Sequence, residues 1–325
     1  MRHPYAIGIA IFICFVLFVE FYLGWLSVLA PWREISLPLL LIALALTLLS
    51  YALRALRIYW YFNASYPGRF RHYFRLSVQH NLINFLLPMR TGELSFPLLM
   101  SRNFNVPATH SGPALVWFRF LDMHVLGLVV LFTLGLQFLG PLLAIPGIAV
   151  WVFMPWLAYH FNKRIIAYVE QYQERRFYRF TLKVLSALPQ DTKTLAISWL
   201  WTSAIWLAKL AASSWVLMQF IDAPIDAALL GAIAGDVTGV LPIHGVAGAG
   251  TYEVGVVAAL APFGLSPEHA LQSAVNLHLF LLSTALLSGG ISLLFPGPAR
   301  NLKPRAAAFE NPSAAPPPRN ASNDS

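Results

Sequence analysis

Charge is scarce in this sequence. Only 11% of its 325 residues are Asp, Glu, Lys or Arg, against 58% apolar. Soluble domains carry roughly a quarter charged residues. So few charges cannot cover the water-exposed surface of a chain this long, which excludes a soluble globular enzyme. Cysteine is nearly missing too. Cys14 stands alone, so it can form no intrachain disulfide and no metal site by itself. Its place inside the first apolar run assigns it to packing. Catalytic signatures are missing as well: there is no HExxH, no paired-aspartate diphosphate motif and no P-loop. Gly248-Ala249-Gly250 is only half a dinucleotide fingerprint. His244 has no serine in its own segment, as a serine–histidine hydrolase would want. The sequence thus predicts no catalytic residue, no metal and no cofactor.

What is present is a set of long apolar runs. A bilayer-spanning helix needs about 20 such residues. Six full spans are predicted, at about 5–29, 35–60, 111–138, 140–160, 194–220 and 267–296. The first run is too long for a signal-peptide core and reads as an uncleaved span. Two further stretches are broken in the middle. One is 76–103, interrupted at Pro88-Met89-Arg90-Thr91-Gly92; the other is 226–263, interrupted between Pro242 and Gly250. Each half is too short to cross comfortably, so both read as re-entrant helical hairpins. The predicted fold is therefore all-α: a polytopic membrane helix bundle over 1–299, with an inverted-repeat-like pair of hairpins. A Pro- and Ala-rich tail, 300–325, reads as disordered.

The net charge of +8 is distributed by topology. Arg54, Arg57, Arg69, Arg71 and Arg75 lie at or after the end of the second span. Lys163, Arg164, Arg175, Arg176, Arg179, Lys183 and Lys193 occupy the middle loop, and Arg300, Lys303, Arg305 and Arg319 the tail. Counting 76–103 as a hairpin puts all three groups and Arg2 on one side. The positive-inside rule makes that side cytoplasmic, with both termini there. In 162–193, Ile165, Val169 and Tyr172 at helical spacing predict a helix lying on the membrane surface. Its basic–aromatic interleaving also suits single-stranded nucleic acid, but six spans beside it favour the membrane and no nucleic-acid partner.

The two broken stretches echo each other. Each gives an apolar pair, a proline, a basic residue two later, a glycine and a glutamate: Pro88, Arg90, Gly92 and Glu93 in one, Pro242, His244, Gly245 and Glu253 in the other. Opposed broken helices point to a transporter binding site. Proline and glycine free backbone groups, which are tolerated in a bilayer only when buried or facing a wet cavity. The blander reading is that Gly245, Gly248 and Gly250 only let helices pack closely. Ionisable groups within spans are costly and mark function. Arg119 and Asp122 share a helix face and can pair. Lys209 has no carboxylate at helical spacing, so it either pairs across the bundle or meets an anionic substrate. His80, His160 and His278 read as packing or interface histidines. Arg90 and His244, with Lys209, Asn84 and Gly92, form the predicted headgroup site. Glu93, Glu253, Asp122, Arg119 and Asp236 would balance charge or take a coupling proton.

Four motifs in order resemble the lysylphosphatidylglycerol synthase transmembrane-region family, the flippase-like domain proteins. They are Leu53-Arg54-Ala55-Leu56-Arg57-Ile58-Tyr59-Trp60, then Asn84 through Glu93, then Arg119-Phe120-Leu121-Asp122, then Leu241-Pro242 to Glu253. The third has Phe118 where the family pattern has Glu, and His244-Gly245-Val246-Ala247 replaces a Pro-Gly-Gly core. The resemblance covers the chain to about 296. It implies a domain that moves or presents a lipid across the bilayer. In two-part members it is fused to a cytoplasmic aminoacyl transferase, which this chain is expected to lack. The expected partner is thus an anionic lipid: a phospholipid, a polyprenyl-phosphate-linked sugar or a hopanoid-type lipid. A separate cytoplasmic transferase or a second copy of the chain stand as further partners. An intramembrane lipid-modifying enzyme and a scaffold for a glycosyltransferase are the competing readings. The expected site of action is the inner membrane.

Overall fold

The structure is a computed structural model and describes residues 4–170, 191–239, 245–295 and 297. Among these residues the chain is helical, with no strand. The helices are α1 (Pro4–Tyr22), α2 (Trp25–Leu29), α3 (Leu37–Phe62), α4 (Phe70–Leu86), α5 (Ser95–Phe104) and α6 (Ala108–Leu134). They continue with α7 (Gly140–Glu170), α8 (Thr192–Leu217), α9 (Ile225–Thr238), α10 (Thr251–Leu260) and α11 (Pro267–Leu293). Five helical runs are long and apolar enough to cross a membrane, or six if the bent N-terminal pair counts as one. Their outward faces carry bare apolar side chains, such as Phe21 at 86% and Leu142 at 84% exposure. In water such a surface would be untenable; a bilayer covers it.

The first span differs from its sequence reading as a straight 5–29 helix. It ends at Tyr22 and turns by 86° into α2. Gly24 adopts φ 76°, a conformation glycine reaches without a Cβ penalty, and its N–H closes the helix end on the Val19 carbonyl. The Glu20 carboxylate accepts the Trp25 N–H. Cys14 is exposed on α1 rather than packed inside.

The spans read at 111–138 and 140–160 form one helical run in sequence, 108–161. A straight helix would hold residues 124 and 151 about 40 Å apart at 1.5 Å per residue. Instead the Trp151 indole donates to the His124 carbonyl at 2.9 Å. So α6 and α7 are antiparallel arms, joined through a π-helical turn at Gly135–Leu139 and a positive φ at Gly140. The surface helix predicted from Ile165 and Val169 is not a separate element at its start, because α7 runs on to Glu170. The remainder of that stretch, 171–190, lies outside the described residues, as does the 300–325 tail.

Both broken stretches fold back on themselves. In the first, α4 ends at Leu86, a 3-10 turn spans Pro88–Leu94, and α5 returns along α4. Gly92 allows the close approach: a Cβ there would collide with the Asn84 Cα. In the second, α9 and α10 pack antiparallel, and Gly235 leaves room for the Tyr252 ring. The turns of the two hairpins, Pro88–Leu94 and Val246–Gly248, touch each other, and both touch α1. The stretch Val246–Phe263, read as half of a broken pair, also passes the length and hydropathy test for a span.

The centre of the bundle is set by α3 against α8. Small hydroxyl side chains are buried on both helices: Thr47 and Ser50 on α3, Ser198, Thr202, Ser213 and Ser214 on α8. Small residues let helix backbones approach where lipid removes the hydrophobic drive for helix association. Thr47 and Thr202 donate to carbonyls of their own helices, so burial costs them little.

Candidate functional site

A polar cavity of about 160 Å3 opens where α3, α4, α6, α8, α9, α10, α11 and the two hairpin turns converge. Four carboxylates are held in or beside its wall, each by a different device.

Asp122 on α6 is the most engaged. Its Oδ1 accepts from Arg57 at 2.8 Å and from the Trp206 indole at 3.2 Å, and its Oδ2 accepts from Arg119 at 3.0 Å. Arg57 also donates to Thr202, and its guanidinium lies 4.5 Å from the Phe118 ring. Phe118 thus answers Arg57 through its π face at the position where the family pattern has Glu.

Glu93 sits on the first hairpin turn and accepts from Arg119 at 2.8 Å and from Asn84 at 3.3 Å. Arg119 therefore bridges the hairpin to α6. Asp236 on α9 accepts from Lys209 on α8 at 2.7 Å. That settles the geometry of Lys209: it pairs across the bundle, and its ammonium lies 5.0 Å from the Trp206 ring. Glu253 on α10 accepts the Gly250 N–H at 2.8 Å and meets His278 Nδ1 at 2.6 Å.

Arg54 is different. One turn before Arg57 on α3, it lines the cavity yet makes no hydrogen bond or ion pair among the described residues. Asp122, whose field reaches it, is already held by two other arginines. Arg54, Arg119 and Lys209 line the cavity with Glu93, Asp122 and Asp236, and Arg57 and Glu253 stand behind the wall. Three buried oxygens of the lining residues have no hydrogen-bond partner among the described residues: Asp236 Oδ2, Tyr252 Oη and Glu93 Oε2, the last 3.9 Å from His80 Nε2.

The sequence-predicted residues Asn84, Glu93, Arg119, Asp122, Lys209, Asp236 and Gly248 all line this cavity. Gly92 shapes its turn, and Gly250 supplies the N–H that Glu253 accepts. Gly245 packs its turn against Ile11 of α1. The predicted meeting of Arg90 with His244 falls outside the described residues. So does Pro242, together with the side chains of Pro88 and Arg90. Sequence reasoning missed Arg54, Arg57, Trp206, Tyr252 and His278. The first two read as charges at the end of the second span and as part of the first family motif, without a site role. Their signal is the stripe Ala43, Thr47, Ser50, Arg54 and Arg57, a small and polar face at helical spacing.

A helical chain with an apolar outer face and an ion-paired polar centre is a multi-pass integral membrane protein. The chain belongs to the family of the lysylphosphatidylglycerol synthase TM region, which matches residues 5–289. No curated protein and no solved structure matches it.

Proposed function

We propose that the protein binds the phosphate-bearing headgroup of an anionic lipid in the polar cavity and carries it across, or presents it within, the bilayer, making and breaking no covalent bond. The observation that supports this is Arg54, a guanidinium on the wall of an intramembrane cavity with no hydrogen bond or ion pair among the described residues. A buried unpaired cation is costly, and an anionic ligand removes that cost. Guanidinium suits phosphate because its N–H groups fork onto two oxygens.

The rest of the wall narrows the headgroup. The Tyr252 hydroxyl has no hydrogen-bond partner among the described residues, and in this reading it turns to donate to the phosphate. Glu93 and Asp236 line the cavity, so in this reading the headgroup also bears O–H or N–H donors that meet their carboxylates. A cavity of about 160 Å3 is smaller than the ~300 Å3 at the lower end for drug-sized ligands, so the headgroup is compact. Glycerophosphate fits each requirement. The bilayer in this reading is the inner membrane, with both termini cytoplasmic, on the distribution of Lys and Arg.

The test is transbilayer movement of phosphatidylglycerol bearing a fluorescent acyl chain in proteoliposomes of the full chain. Arg54→Gln should slow movement by about tenfold or more, since a charge-assisted hydrogen bond contributes about 1.5–3 kcal/mol. Equal rates at equal reconstitution would overturn the reading.

A further inference from the structure

Three of the four carboxylates at the cavity already hold a permanent cation: Asp122 by Arg57 and Arg119, Glu93 by Arg119, and Asp236 by Lys209, at 2.7 to 3.0 Å. A proton arriving there must displace an arginine or a lysine. Glu253 is the exception. Its one ion-pair partner among the described residues is His278, the Glu253 side chain being 2% exposed and that of His278 8%.

Hydrogen-bond inventory fixes the protons of this pair. His278 Nε2 lies 2.8 Å from the Ala247 carbonyl oxygen. A carbonyl only accepts, so Nε2 carries a hydrogen. His278 Nδ1 lies 2.6 Å from Glu253 Oε1, and a contact that short needs a hydrogen between the two atoms. Either the histidine bears it and is an imidazolium beside a carboxylate, or the glutamic acid bears it and donates to a neutral ring. Both arrangements hold the same number of protons and the same net charge of zero. Removing one proton leaves a neutral imidazole with one hydrogen for two acceptors. It then loses either the glutamate or the Ala247 carbonyl, and the carboxylate's charge favours keeping the glutamate.

The group released is placed to matter. Ala247 has φ 58°, one of two non-glycine residues at positive φ among those described, in a region such residues rarely adopt. Its turn lines the cavity and touches the first hairpin.

We propose that Glu253 and His278 form a proton-binding site whose occupancy holds the Val246–Gly248 turn against the cavity. Loss of the proton to water frees the turn. The site stands on this geometry alone; its role as the coupling site for lipid movement rests on the headgroup reading above. The groups facing the pair are the Tyr252 ring, 4.5 Å from His278, and the Phe85 ring at 5.6 Å. Across the cavity stand Asp236, Lys209, Arg54, Glu93, Arg119 and Asp122. From α1, Ile11 and Phe15 approach Gly250 with no charge.

The test is hydrogen exchange of the backbone amides of 245–253 in the full chain, in nanodiscs, from about pH 5 to about pH 9, a range that brackets histidine titration. Rates are corrected for the intrinsic pH dependence of exchange. Wild-type protection should fall by about tenfold or more as pH rises. E253Q supplies an amide that donates to Nδ1 and an oxygen for the Gly250 N–H, so its protection should stay high throughout. A flat wild-type profile overturns the proposal, whether or not the variant folds. So does an E253Q profile that falls like the wild type. No lipid probe enters this experiment, so it can fail while the headgroup reading stands, and the reverse.

Discussion

Arg57 and Asp122 are 65 positions apart in sequence and 2.8 Å apart in the bundle, with side chains 4% and 3% exposed. Their contact ties α3 to α6 at the level of the cavity. The two residues are not equivalent. Asp122 serves Arg57, Arg119 and Trp206, whereas without Arg57 it would still hold the other two. Removing one partner of a buried pair costs about 3–5 kcal/mol. Asp122→Ala is therefore expected to lower stability by about that much, and Arg57→Met by clearly less. Unfolding of the purified protein in mixed detergent–SDS micelles checks this, and the opposite order would refute the assignment of Asp122 as the hub.

The first hairpin depends on the absence of a side chain at Gly92. A Cβ would collide with the Asn84 Cα and lie 2.8 Å from the backbone carbonyl oxygen of Ile83. These are backbone atoms and cannot swing aside. Gly92→Ala should destabilise the protein by about 1–3 kcal/mol, the usual cost of overpacking. Gly290, inside α11 and exposed, has nothing within 4 Å of its added Cβ. Gly290→Ala should be neutral or stabilising by up to about 1 kcal/mol. Thermal denaturation of the two variants side by side tests the contrast.

Asp191 caps α8 just outside the apolar part of the helix. Its carboxylate accepts the Thr194 N–H and hydroxyl, both at 2.7 Å. The Thr194 side-chain bond, then backbone bonds from Thr194 and Lys193, hold its pKa below the ordinary aspartate value. A depressed carboxylate stabilises the fold above the unfolded pKa of about 3.9, and that contribution is lost as pH falls through the lower folded value. Asp191→Ala should cost about 1 kcal/mol at neutral pH, as lost helix caps do. The difference from wild type should shrink below about pH 4. Melting curves at neutral and acid pH decide it; a difference unchanged at low pH would contradict the cap.

Apolar run length was enough to show an all-helical membrane bundle, because a bilayer demands a minimum helix length whatever the packing. Pro88 with Gly92, and Gly248 with Gly250, marked where the two broken stretches turn. What sequence could not supply was depth and direction. Arg54 and Arg57 lie near the end of a predicted span, where positive charge ordinarily meets water, and α3 turns both inward. His278 sits in an apolar run, where histidine usually packs, and only the fold brings Glu253 to it from 25 positions away. The bend at Gly24 is likewise invisible to a count of apolar residues, since the run continues unbroken through it.

The claim that the cavity takes an anionic headgroup through Arg54 is tested most directly by native mass spectrometry of the protein with lipid added in defined amounts. Wild type should retain phosphatidylglycerol in preference to phosphatidylcholine. Arg54→Gln should lose that preference by about tenfold, about 1.4 kcal/mol, while Arg54→Lys keeps part of it. Equal retention of the two lipids by wild type, or a preference untouched in Arg54→Gln, would contradict the account.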